Sequence, residues 1–390
     1  SFLLPFGVNY AILIMLWALC FFAFDDVKQG LKKVFTNKWS YVFLGFFFLH
    51  AIAYFFSANK HEALTSIEIK LSFFAFPLLW FSSNLTEINV KKIAITFVTG
   101  CILACMICLF RAFYLFYFQD FNAFFYSEFT YFMHPSYFAM YLVLAQLMVM
   151  LYYKQWLAHL TNLNFKIGFI SCVLLTGIFL ASSKMGLASA VLILPAVLLA
   201  TFYKKGYKKA IIAFMLSIVV VISVAYKLVP SYFERIKTAI SVTSSAETID
   251  KTATESTAVR ILIWEESIKL IKENFLFGTT PGDANDELQK AYHERGMTGA
   301  SKKNLNAHNQ FFQTFIGTGI IGFVLLLIMT LGTLVYGLVK RNSLLSLFSV
   351  LMILNFLVES MLQAQAGFIF FVFFICLFLQ YNFSKQHIIK

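Results

Sequence analysis

Alternating apolar and polar runs are missing from this sequence, which excludes a transmembrane β-barrel. A disulfide framework is missing too. The six cysteines, Cys20, Cys101, Cys105, Cys108, Cys172 and Cys376, all lie inside apolar stretches. Cys101, Cys105 and Cys108 share one helical face, but no His or carboxylate stands beside them, so they read as packing residues rather than metal ligands. No signal peptide of the usual three-part form opens the chain. The stretch 58–67 supplies only Glu62, not an acidic pair for a metal. Asp283, Asp286 and Glu287 do cluster, but where a helix begins, and acidic first turns suit the positive end of a helix dipole. No metal and no cofactor are expected.

Apolar surface is what the chain has in excess. Of its 390 residues 60% are hydrophobic and 18% aromatic, against about 45–50% apolar in a soluble domain. Continuous apolar runs near the length a bilayer core requires predict an all-α, polytopic membrane protein. The expected spans are 6–24, 41–57, 68–83, 92–117, 134–153, 166–182, 185–203, 209–229, 310–339, 343–360 and 363–381. Cations collect in every second connection: Lys28, Lys32, Lys33 and Lys38; Lys91 and Lys92; Lys154 and Lys166; Lys204, Lys205, Lys208 and Lys209; Lys340 and Arg341; and the tail, Lys385 and Lys390. The positive-inside rule puts those connections in the cytoplasm. The net charge of +12 therefore reflects topology, not a nucleic-acid footprint. Eleven visible spans with a cytoplasmic C-terminus place Ser1 outside, and a twelfth helix is expected to precede it in the full chain.

The sequence divides into membrane helices over 1–229, an outer loop over 230–309, and three further membrane helices over 310–390. The loop opens with a Ser/Thr-rich stretch, SVTSSAETIDKTATEST, whose low hydrophobicity predicts mobility. In AVRILIWEESIKLIKENFLFG the residues Ile261, Trp264, Ile268 and Ile271 recur at helical spacing, which predicts an amphipathic helix stopped at Gly278 and lying on the membrane surface. A second short helix ends at Gly296. About 80 residues with two helices make a cap over the bundle, not an independent domain. Beyond it NLNAHNQFFQTFIGTGIIG runs, as read here, without a break into a helix reaching about Leu338.

An ionisable group in a membrane is costly, so each is a candidate for function. Arg111, His134, Lys184, Arg260, His308 and Glu359 all fall at the outer ends of spans or in the outer loop. Only His50 lies near mid-depth, where hydrogen-bonded packing explains it. A transporter needs polar groups through the midplane, whereas groups gathered at one face suit an enzyme acting on a lipid headgroup. His308, where an aqueous loop meets a span, suits a general base; taken alone, it equally suits a helix cap. Arg260, Lys184 and Arg111 suit a polyanion. Each also has a plainer role: Lys184 as a snorkelling anchor, Arg111 paired with Glu128 or Glu359, Arg260 paired with Glu255 or Glu265.

Three stretches carry a resemblance to the O-antigen ligase and O-antigen polymerase superfamily of bacterial envelope glycosyltransferases. RILIWEESIKLIKENFLFGTTPG, from Arg260 to Gly282, resembles the family's Arg-x3-Trp helix and Gly-rich turn. AHNQFFQTFIGTGIIG resembles its His-Asn motif, and SSKMG its Ser-rich outer hairpin, where Arg is usual and Lys184 stands instead. The resemblance implies transfer of a glycan from undecaprenyl diphosphate to an acceptor hydroxyl on the periplasmic side of the inner membrane, without a metal. His308 would be the base and Arg260 a diphosphate contact, with Lys184 at the usual Arg position; Arg111 joins them as a diphosphate contact on its charge alone. His134 (in a motif resembling HPxY), Asn309 and Glu359 would support them. Lipid A–core is the expected acceptor. A lipid-linked repeat unit would make the chain a polymerase, and a protein acceptor ranks third. A polysaccharide exporter or lipid flippase is the reading from another class.

Overall fold

The computed structural model describes residues 1–7, 27–157, 161–207, 209, 251–252 and 257–381, and among these every regular element is helical. The spans expected over 6–24 and 209–229, and the Ser/Thr-rich stretch with Glu255, lie almost wholly outside the described residues. The helices that matter below are α1 (Val27–Thr36), α2 (Lys38–Ala53), α3 (Lys60–Lys70), α4 (Ser72–Ser82), α5 (Glu87–Gln119), α6 (Pro135–Met148) and α7 (Leu163–Ala181). They continue with α8 (Lys184–Lys204), α9 (Thr257–Glu273), α10 (Ala284–Arg295), α11 (Gln310–Leu327), α12 (Ser343–Phe356) and α13 (Gln365–Gln380). Among the described residues six helical segments are long and apolar enough to cross a membrane: Lys60–Ser82, Ile88–Gln119, Pro135–Trp156, Leu163–Ala181, Lys184–Lys204 and Gln310–Val339. The protein is a multi-pass membrane protein.

Asparagine sets several helix starts, because its side-chain oxygen satisfies amides that have no partner within the first turn. Asn37 accepts from the Trp39 amide, Asn342 from that of Leu345, and Asn309 from those of Phe311 and Phe312. The basic connection at residues 27–36, expected as a loop, is the helix α1, with Gly30 and Val34 buried on its inner face. Its Lys33 reaches Asn84 at 2.7 Å, while Asn342 donates to the carbonyls of Phe378 and Tyr381. Gln380 donates to that of Ser83. These contacts collect Lys33, Lys340 and Arg341 at one end of the bundle.

The last apolar segment is the bundle's axis. Every residue of α13 from Gly367 to Phe378 is buried, which is why it is apolar on all sides. Phe370 stacks on Tyr141 at 4.2 Å, Phe374 meets Phe97 edge-on at 4.7 Å, and Phe373 meets Trp80 at 5.2 Å. Lipid offers no hydrophobic drive for helices to associate, so close packing of this kind has to hold them.

The expectation of an unbroken helix after His308 fails at Gly319, whose φ of 61° and ψ of −160° are not helical. This region is essentially open to glycine alone. The chain bends sharply there, so Phe315 stacks on Phe323 with ring centroids 4.7 Å apart. The bend frees two backbone groups, and the segment after α9 takes both. Thr279 donates its amide to the Ile316 carbonyl at 2.7 Å, and Ile320 donates to the Phe275 carbonyl at 3.0 Å. Gly278 makes the crossing possible: a Cβ there would lie 2.5 Å from Ile316 O and 2.6 Å from Gly319 N.

The cap over this end has its own small core, in which Val259, Leu262, Ile263 and Leu270 of α9 meet Leu288 and Tyr292 of α10 and Ile316 of α11. The buried face of α9 is therefore 259, 262, 263, 266, 267 and 270, with Ile261, Trp264 and Ile271 half-buried at its edge and Ile268 exposed. The polar residues Glu266 and Ser267 fall on the buried face because each has a partner there: Arg295 for Glu266 and the Ile263 carbonyl for Ser267. A pattern of apolar residues alone cannot reveal that.

Candidate functional site

The site forms where α9, the α11 start and the hairpin between α12 and α13 meet. His308 precedes Asn309, the cap of α11, and takes a left-handed backbone with φ +44°. His is among the few non-glycine residues that enter this region with some frequency. Its amide donates to the Asn306 side chain at 3.0 Å. One residue earlier, Ala307 is held from both sides: its amide donates to Gln313 Oε1 at 2.9 Å, and its carbonyl accepts the indole N–H of Trp264 at 3.1 Å.

Trp264 and Arg260 are four residues apart on α9 and so lie one above the other on the same face. That spacing explains the Arg-x3-Trp pattern physically. While Trp264 fixes the backbone beside His308, Arg260 lies with its terminal nitrogen 3.6 Å from Glu359 Oε1. The other oxygen of Glu359 is 2.7 Å from Nδ1 of His308. One carboxylate thus joins the two residues singled out from sequence, 48 positions apart in the chain.

Burial works to raise the Glu359 carboxyl, but the His308 hydrogen bond and the charges of His308, Arg260 and His134 outweigh it. The carboxyl lies below its ordinary value and is an ionised acceptor near neutrality. An acceptor at Nδ1 requires the proton to sit on Nδ1, which leaves Nε2 of a neutral imidazole with its lone pair open. Arg260 is 32% exposed and its ion pair with Glu359 is loose, so among the described residues most of its five N–H donors are unspent.

Glu359 is held in turn by its hairpin. Asn309 donates to the Leu357 carbonyl at 3.1 Å, and Gln310 accepts the Leu362 amide at 2.7 Å. Lys70, buried in the bundle, donates to the Leu362 carbonyl at 2.7 Å. Sequence reading passed over Lys70, Gln310 and Gln313. Lys70 carried a signal, as a lysine just inside an apolar run; the glutamines carried none.

The remaining expected residues lie at differing removes. His134 caps α6, with Nδ1 accepting weakly from the Ser136 amide at 3.4 Å, and it lies close enough for its protonated form to lower the Glu359 carboxyl. Lys184 begins α8 and is exposed. It is tied to the α6 start through Ser183, whose hydroxyl meets that of Ser136 at 3.2 Å. Asn355 of α12 donates to Ser189 of α8 at 3.3 Å. That contact ties the helix begun by Lys184 to the one that leads into the Glu359 hairpin.

Arg111 stands apart. It donates to the Glu128 backbone carbonyl at 2.6 Å and covers the Tyr131 ring, and no contact among the described residues joins it to His308, Glu359 or Arg260. The pairing weighed for Arg260 with Glu265 does not form, because Glu265 pairs with Arg295. His50 hydrogen-bonds its own helix at Phe46. Asp283 and Asp286 are occupied in docking the cap: Asp283 accepts the amides of Ala58 and Asn59, and Asp286 accepts from the Asn59 side chain.

Residues 169–327 match the family model described as O-Antigen ligase. The matched stretch contains Lys184, Arg260, His308 and Asn309; Arg111 and His134 precede it, and Glu359 follows it. No curated protein matches the chain.

Proposed function

We propose that the chain, whose residues 169–327 match the O-antigen ligase family model, transfers a glycan from undecaprenyl diphosphate to a hydroxyl of lipid A–core. In this reading the His308 end of the bundle faces the periplasm and the basic end faces the cytoplasm, as the lysine distribution favours. The observation that carries the reading is the Arg260–Glu359–His308 group.

The sugar already bears a good leaving group, so the acceptor hydroxyl is the weak partner. His308 Nε2 takes its proton as the oxygen attacks the anomeric carbon, a contribution of typically 10²–10⁴-fold. Glu359 holds the ring in the required tautomer and stabilises the imidazolium that forms. As the bond to the diphosphate breaks, negative charge grows on the departing phosphate, where the open donors of Arg260 and the cation of Lys184 stabilise it. Attack opposite the leaving group inverts the anomeric centre; retention in product NMR would count against this step. Arg111 steadies the loop near 128–131, and its part as a diphosphate contact would require the donor to reach it. Cationic side chains provide the charge stabilisation, so the reaction needs no metal.

The α12–α13 hairpin supports action on a membrane-held donor. Its legs of 14 and 16 residues run about 21–24 Å, less than the hydrocarbon core of about 30 Å. Glu359, three residues past the end of the first leg, is then held close to the membrane boundary, where a lipid-linked diphosphate can approach it.

The test is transfer by purified, reconstituted protein given the lipid-linked glycan and lipid A–core. Covalent appearance of glycan on lipid A–core supports the ligase, and lengthening on the carrier instead makes it a polymerase. No transfer at all would leave transport and remove the enzyme reading. His308→Ala should abolish product while insertion in the membrane is unchanged; wild-type product from this variant would remove the base.

A further inference from the structure

The three residues Phe275, Leu276 and Phe277 take no part in the chemistry above. Phe275 packs on Phe315, with ring centroids 5.4 Å apart, but Leu276 is 60% and Phe277 77% exposed. Two large apolar side chains project together from the end of the cap. Such a patch marks a contact surface, and its surroundings say which.

Directly beyond the bend, the second arm of α11 and its continuation expose Ile321, Val324, Ile328, Leu331, Val335 and Leu338. Steps of three and four residues put all six on one helical face, the face that a membrane span turns to lipid. The 275–279 segment is hydrogen-bonded to α11 at Ile316 and Ile320, so its exposed side chains stand at the head of that stripe and continue it.

Depth agrees. From Gly319 to Lys340 the chain advances 21 residues, about 31 Å of helix, which is the thickness of a hydrocarbon core. With Lys340 and Arg341 at one boundary, Gly319 and the segment crossing it lie at the other. Irregular backbone is tolerated there because each group freed by the bend has found a partner.

We propose that Leu276 and Phe277 insert into the acyl chains of the leaflet at the His308 end, anchoring the cap in the bilayer. The same helix α9 carries Arg260 and Trp264, so the anchor fixes their height over the lipid. This inference does not depend on which reaction the site performs.

Spin labelling of the full chain in phosphatidylethanolamine–phosphatidylglycerol vesicles tests it. Phe277→Cys is made in a Cys172→Ser background, since Cys172 is the exposed thiol among the described residues, and the labelled background alone supplies the correction. Oxygen should relax the label strongly and a water-soluble nickel chelate weakly, as at Ile328→Cys on the lipid stripe. A chelate-accessible label behaving like one at the exposed Lys290 would place the tip in water and overturn the proposal. A label shielded from both reagents would mean that protein, such as a second copy of this chain, covers the tip, and would overturn it as well.

Discussion

His308 Nδ1 and Glu359 Oε2 lie 2.7 Å apart although the residues are 51 positions apart in the chain. The carboxylate is the element that gives the imidazole a direction. Without it Nδ1 has no fixed acceptor, and the two neutral tautomers compete for the proton.

Glu359→Gln is therefore expected to lower kcat by about 10²–10⁴-fold. An amide can hydrogen-bond either tautomer and cannot stabilise an imidazolium by charge. KM should stay near wild type, because Glu359 acts through His308 rather than on substrate. Glu359→Asp, which keeps the charge on a shorter arm, should recover part of the rate. Unchanged steady-state kinetics for the glutamine variant would remove this positioning role.

The bend at Gly319 makes a stability prediction. Any Cβ there would lie 2.3 Å from the Leu276 carbonyl oxygen, on a backbone that only glycine adopts without strain. Gly319→Ala should cost more than about 2 kcal/mol, seen as a lower thermal midpoint in detergent. Transfer should fall with it, because the arm carrying Phe311 and Phe315 starts at His308. Gly168, inside α7, has nothing within 4 Å of a built Cβ, so Gly168→Ala should leave the midpoint unchanged or slightly raised.

These particulars show what the sequence makes legible. Helix type and rough extent follow from the length of the apolar runs, and His308 and Arg260 stand out because charge is scarce among them. The direction in which α9 faces was not legible, because Glu266 is buried against Arg295 of another helix and Ser267 by bonding to the Ile263 carbonyl of its own. Nor was the bend. GTG within an apolar run reads as tolerable helix until the 275–279 segment arrives to take its freed groups. Glu359 could be named as a polar group at a span end, but its place between His308 and Arg260 is a product of folding. Arg111 shows the converse, since a cation at the same end of the bundle is spent on a local carbonyl.

Asp283 gives the cap a pH dependence. Burial works to raise its carboxyl, but the amides of Asn59 and Ala58, the Thr280 hydroxyl and the Lys60 charge outweigh it, so the value is lowered from 3.8. The unfolded chain then binds more protons than the folded one as pH falls past 3.8, and stability rises with pH across that window. The contribution is complete above it and lost as pH drops through the folded value. Asp283→Asn should cost about 1–2 kcal/mol at neutral pH, the worth of charge-assisted bonds at a partly exposed site. Its thermal midpoint should also vary less with pH below 4 than that of the wild type. Parallel midpoint curves for the two proteins would show that the 58–59 connection does not depend on this carboxylate.

Arg260 has two separable consequences, because it touches Glu359 and also offers free donors to solvent. If its work is on the donor phosphate, Arg260→Ala should raise the KM for the lipid-linked glycan and lower kcat. Loss of one charge-assisted contact of this kind is worth about 1.5–3 kcal/mol, or roughly 10–100-fold in kcat/KM. Arg260→Lys should restore only part, since an ammonium keeps the charge but not the fork that matches two phosphate oxygens. If Arg260 instead serves only to hold Glu359, the donor KM should not move. Both Arg260 variants would then reproduce the kinetics of Glu359→Gln, and combining Arg260→Ala with Glu359→Gln would cost little more than either alone. A raised donor KM in Arg260→Ala, together with a further loss in the double variant, assigns the guanidinium to the phosphate.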